Sequence, residues 1–286
     1  MARKLWINVY ESFALHKSLT HPPRHFIVSL GFGHVLPMDD FLVTTNESIL
    51  LAMYDLVDPG LKKTALPMPV KTKDVIQTDS GMTVECGDMA IRKISLNDKT
   101  KPGTYQVVAT TREDFFTMYL DESGKPKMVN KALDEMKGVG NIVRSVKFQA
   151  FAKGFMAVEK WTDPKPLGHA LELMPLTDLS NIHIGDPVSF QVALMGKPFS
   201  CTQETMEYMT AASNTFGGEA SGDPEGFFLS AYLVNSRARF WMPTAGQWVV
   251  NVFASQYVTP ESSLKELVGK CTMVYYGSSI SFNVKP

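Results

Sequence analysis

Apolar residues alternate with polar ones, or run on with β-branched and aromatic side chains, over residues 5–10, 25–30, 105–110, 147–158, 171–174, 188–194, 226–233, 248–253 and 272–284. In an extended chain successive side chains point to opposite faces, so each of these stretches predicts a strand. Val129, Ala132, Leu133 and Met136 fall three and four apart and predict a helix over 128–137. A Pro-Glu-Ser-Ser start at Pro260 predicts a second helix over 260–268. The pattern is that of a mostly β protein with minor helices.

Turn residues divide the pattern. Pro102-Gly103-Thr104-Tyr105 feeds an alternating strand, and Ala245-Gly246-Gln247-Trp248 repeats that arrangement later in the chain. Two similar β-sandwich domains account for the repetition. The segment Trp161-Thr162-Asp163-Pro164-Lys165-Pro166-Leu167-Gly168 is rich in turn formers, and its prolines remove ladder donors. It reads as the linker between an N-terminal sandwich over 1–165 and a C-terminal one over 166–286. Residues 213–226, dense in glycine and without periodicity, read as a long exposed loop.

Composition narrows the function. At roughly 150 residues per domain, the 286 residues allow two domains, and the 44% apolar content supports a sizeable core. The chain carries 28 basic and 29 acidic residues, a net charge of -1. No basic field is available to hold a phosphate backbone, so nucleic acid is not an expected partner. No apolar run approaches the ~20 residues of a membrane helix. Cys86, Cys201 and Cys271 lack Cys-x-x-Cys spacing. In an oxidising compartment Cys201 and Cys271, both in the C-terminal half, form the natural pair, and three buried thiols are the alternative.

The chemistry-bearing residues gather early. His16, His21, His25 and His34 lie within nineteen positions, followed by Asp39 and Asp40. Imidazole and carboxylate suit borderline divalent metals. Pro22 and Pro23 exclude a helical His21/His25 pair, which leaves a loop-borne site. In Gly31-Phe32-Gly33-His34-Val35-Leu36-Pro37-Met38-Asp39-Asp40, two glycines permit a bend at a strand end while one His and two carboxylates arrive in a single loop. The same cluster also reads as a turn in which His34 bonds to backbone and an aspartate caps the next segment. His169 and Glu172, three apart in an expected strand, should point to opposite faces and so fail to chelate one ion. The methionines near Cys201 read as core filling. No nucleophile elbow, Walker loop, zinc-protease helix or dinucleotide fingerprint is written in the chain, and the expectation is a protein that is not an enzyme.

Several motifs in order, Leu5-Trp6-Ile7, Gly31-Phe32-Gly33-His34 with Pro37, Pro102-Gly103-Thr104-Tyr105, Leu171-Glu172-Leu173-Met174-Pro175-Leu176, Gly185-Asp186 and Met195-Gly196-Lys197-Pro198, span most of the chain. Together they resemble a bacterial family of exported proteins described as the periplasmic component of nickel or cobalt uptake systems. The resemblance implies immunoglobulin-like or transthyretin-like sandwiches, a periplasmic location with Met1-Ala2 standing where a leader was removed, and membrane transporter subunits as partners. It implies a nickel or cobalt ion as transported ligand, with no resident cofactor. It carries the ligand-bearing loop to His34, with Asp39 and Asp40 beside it. Family members begin the mature chain with a His just before the Leu-Trp pair, where this sequence has Arg3-Lys4. The alternative is a structural, carbohydrate-binding or protein-binding sandwich in which one of Trp6, Trp161, Trp241 and Trp248 is an exposed platform.

Overall fold

The structure, a computed structural model, describes residues 4–12, 24–33, 36, 50–70, 75–199, 208–216 and 228–286. The N-terminal strands are β1 (Lys4–Ser12), β2 (His25–Gly33), β3 (Leu51–Val57), β4 (Lys63–Ala65), β5 (Val75–Gln77), β6 (Thr83–Glu85), β7 (Arg92–Ser95), β8 (Gly103–Thr111), β9 (Asp114–Leu120), β10 (Pro126–Val129) and β11 (Ile142–Val158). They are followed by β12 (Leu171–Pro175), β13 (Ile182–His183), β14 (Pro187–Leu194), β15 (Lys197–Pro198), β16 (Tyr208–Ser213), β17 (Phe228–Tyr232), β18 (Arg237–Trp241), β19 (Gly246–Tyr257) and β20 (Met273–Lys285).

An eleven-stranded sheet runs through the middle of the molecule in the order β17-β16-β19-β20-β11-β8-β3-β4, with β9, β10 and β13 at its margins. Each face carries a smaller sheet, as the alternation along β11 makes plain. Phe148, Ala150 and Ala152 join a core with Leu5, Ile7, Val28 and Leu30 beneath the sheet β1-β2-β7. Phe151 points the other way, into a core with Leu171, Leu173, Phe190, Phe240, Trp248 and Ile280 beneath the sheet of β12, β14, β15 and β18. The mostly β sandwich architecture expected from period-two patterning is therefore present. Strands from both sides of the 161–168 segment share the central sheet, joined where β11 and β20 pair in parallel from Val146 and Met273 to Gly154 and Ser281.

The two predicted helices are not formed. Residues 126–129 are strand β10, paired with β9, and only a 3-10 turn, Leu133–Glu135, follows. The Leu133 N–H is taken by the Lys270 carbonyl at 2.8 Å, so a tertiary partner outweighs the weak helical spacing. The second stretch likewise holds one 3-10 turn, Lys265–Leu267. Of the expected loop over 213–226, residues 217–226 lie outside the described residues.

The edge of β1 that faces away from β2 is satisfied in an unusual way. Ser279, Ser281 and Asn283, alternate residues of β20, donate from their side chains to the carbonyls of Leu5, Ile7 and Val9, alternate residues of β1. A side-chain ladder thus replaces strand pairing and ties the start of the chain to its last strand. The approach is close enough that a Cβ on Gly154 of β11 would collide with the Val9 and Ile7 side chains.

Candidate functional site

Of the residues the sequence marks for metal binding, His16, His21, His34, Asp39 and Asp40 lie outside the described residues. His25 is described: it opens β2, 8% exposed, opposite Ser12 of β1 and Ser95 of β7. Among the described residues no group of three or more His, Cys, Asp or Glu is placed to hold a metal. The strand that leads to His34 is described. Gly31 sits opposite Trp6, and a Cβ there would overlap the indole, which accounts for this glycine by packing. Gly33 ends β2 with φ of +148°, a conformation suited to glycine. It pairs with Lys4, so the chain leaves β2 toward His34 at the sheet end where β1 begins.

The cysteine expectation changes. Cys271 is buried with a free thiol, its pKa raised by burial, and Cys86 is exposed. Cys271 therefore does not form the expected pair; Cys201 lies outside the described residues.

The structure adds a charged cluster that sequence reading passed over. Lys153 stands between Phe151 and Phe155 in β11, completely buried, and pairs with Glu172 of β12. Its Nζ also donates to the Leu173 carbonyl at 3.4 Å. The other Glu172 oxygen accepts from the N–H groups of His169 at 2.7 Å and Leu167 at 3.2 Å. The expectation that His169 and Glu172 diverge is corrected, because β12 starts only at Leu171 and His169 belongs to the irregular segment before it. The His169 ring stacks on Phe151 at 4.8 Å, and neither ring nitrogen has a hydrogen-bond partner among the described residues. Burial, then the Lys153 charge, lowers its pKa to about 4. Burial also lowers the Lys153 pKa, against the pull of Glu172. For Glu172, burial raises the pKa, but Lys153 and the hydrogen bonds outweigh it and the carboxyl titrates below its usual range. With every charge turned inward, this cluster fastens β12 to β11. The signal available in the sequence was one lysine inside the apolar run of β11.

A cleft of about 340 Å³ opens where β1, β11 and β20 meet, lined by Tyr10, Phe155, Trp161, Gln247, Asn283 and Lys285 among others. Trp161 meets Phe155 edge-on at 5.7 Å, and the Tyr10 hydroxyl donates to Gln247 Oε1 at 3.0 Å. Trp6 and Trp248 are buried, Trp161 is half-buried and Trp241 is 59% exposed.

No curated protein matches the chain. A family model does, over residues 1–256: the chain belongs to the DUF4198 family, a domain of unknown function.

Proposed function

We propose, for this member of a family without an assigned activity, a non-enzymatic periplasmic role: binding a divalent transition ion, nickel or cobalt first, for a membrane uptake system. One observation carries the reading. The Lys4 and Gly33 pairing sets the first described residues and the exit toward His34 at one end of the β1 and β2 pair. These are the two places where the resemblance locates ligands. The His34 imidazole, with Asp39 or Asp40 and water, would give a site with few protein ligands, able to release its ion to transporter subunits.

Titration calorimetry with nickel, cobalt, copper and zinc tests the reading. Expected is saturable binding of nickel or cobalt that weakens at least tenfold in His34→Ala and falls below about pH 6.5, where imidazole ligands protonate. Absence of heat beyond dilution, or unchanged affinity in His34→Ala, overturns it. A second reading, a carbohydrate-binding module, is favoured by the cleft beside Trp161, where aromatic rings and amide side chains lie together.

A further inference from the structure

Strand β18 alternates cleanly. Ala238 and Phe240 enter the core, whereas Arg237, Arg239 and Trp241 face solvent. The Arg239 guanidinium lies over the Trp241 ring at 5.9 Å, and its Nε donates to Ser189 Oγ at 3.2 Å. The guanidinium is held by these two contacts, with its two terminal nitrogens unpartnered among the described residues. A groove of about 630 Å³ runs beside it, lined by both arginines, Trp241, Tyr232, Leu176 and Ser189, and no carboxylate is among its described lining residues.

The backbone of the same residues is also available. The Met242 N–H donates to the Asp186 carbonyl and the Val192 N–H to the Ser236 carbonyl. In an antiparallel pair hydrogen-bonded positions recur every second residue, so Ala238 and Phe240 turn their polar groups toward β14. Those of Arg239 and Trp241 point to the outer edge, where no strand among the described residues pairs with them. Arg237 closes the hairpin onto Val234. The opposite edge of this sheet is treated differently. There Lys153 reaches across to the Leu173 carbonyl and Glu172, an inward charge of the kind that blunts an edge strand. One edge is capped from within; the other, with β17 lying beside it but no described strand paired to Arg239 and Trp241, is basic and aromatic.

We propose that the β18 edge docks an extended acidic segment of a partner protein. The segment adds as a strand to the outward N–H and C=O groups of Arg239 and Trp241 and sets carboxylates against the guanidiniums of Arg237 and Arg239. A second copy of this chain is the poorer occupant, since antiparallel self-pairing centred on Arg239 places like charges opposite. An anionic polysaccharide would meet the guanidiniums and leave the edge backbone unused. This inference is independent of ion binding.

The probe is a blocked hexapeptide alternating glutamate and valine, titrated into the full chain and followed by amide NMR shifts. Three controls accompany it: the glutamine and valine counterpart, the glutamate peptide N-methylated on the positions that face the edge, and a polyuronate. Expected are shifts clustered on β18 and an affinity at least tenfold lower for R237E/R239E, for the glutamine peptide and for the N-methylated peptide. Binding should also weaken with added salt, as for charge-assisted contacts near the surface. Overturning results are no shifts at millimolar peptide, equal affinity in R237E/R239E, indifference to N-methylation, or polyuronate binding without peptide binding. Dimerisation that R239E abolishes would instead assign the edge to a second copy and equally overturn the proposal. The circular dichroism spectrum of R237E/R239E should match the parent, because both side chains face solvent.

Discussion

His169 is where a single side chain sets a measurable property of the molecule. Its pKa is lowered to about 4 by burial and by the Lys153 charge, against an ordinary value of 6.5. As pH falls, the unfolded chain takes up the proton before the folded one does. Stability is therefore unaffected above pH 6.5, declines between pH 6.5 and 4, and levels off below that, by about 3 kcal/mol for this group. Glu172 works in the same direction at lower pH. Its folded pKa lies below the ordinary value of 4.5, so its stabilising contribution is lost as pH drops through the folded value. Urea denaturation at pH 7.5, 5.5 and 4 should show this decline in the parent, and a much flatter profile between 7.5 and 5.5 in His169→Leu. An equal slope in both proteins would mean that His169 is not the group responsible. Alternation predicted that His169 and Glu172 would diverge, and it failed because period two holds only once a strand has begun, here at Leu171. The contact depends on a turn bond from the His169 N–H to the Glu172 carboxylate, and residue spacing does not encode it.

At the level of elements, strands were legible because burial on one face forces alternation, and β2, β8, β11, β14, β19 and β20 all fall on stretches where the pattern placed them. Helical spacing at 128–137 misled, since four apolar residues at helical intervals also fit a strand and a turn once β9 offers a ladder. The hydroxyls of β20 were unreadable for a related reason. Ser279 and Ser281 occupy positions that in an isolated strand would face solvent, yet both are buried because β1 lies across them. Removing these donors leaves the Leu5 and Ile7 carbonyls unsatisfied on that edge. The cost of an orphaned buried acceptor is about 1–3 kcal/mol, so Ser279→Ala/Ser281→Ala should lose roughly 2–6 kcal/mol in chemical denaturation. Native-state hydrogen exchange should quicken first in β1 and β2. A double variant as stable as the parent would show that the ladder contributes nothing net.

For the whole molecule, the question is how independent the two halves on either side of the 161–168 segment can be. That turn-rich segment lies between β11 and β12, and two cores exist, one under each small sheet. The central sheet crosses from one half to the other, however, and long-range strand order leaves no mark in local patterning. Residues 1–165 alone keep β1, β2, β8 and β11 but lack β20, which supplies both the parallel partner of β11 and the hydroxyl ladder of β1. Without β20, the fragment exposes one long edge of β11 and unpaired carbonyls along β1, two features that favour association over folding. The expected outcome is that fragment 1–165 gives broad, poorly dispersed NMR spectra, whereas the intact chain unfolds in one cooperative transition with coincident tryptophan fluorescence and far-ultraviolet circular dichroism. Trp6, buried against Gly31, reports on the β1 and β2 pair and Trp248 on the C-terminal core, so replacing each in turn by phenylalanine resolves the halves. Coincident midpoints for both reporters are the signature of a shared sheet, while two separated midpoints together with a well-dispersed fragment would show that each sandwich folds by itself.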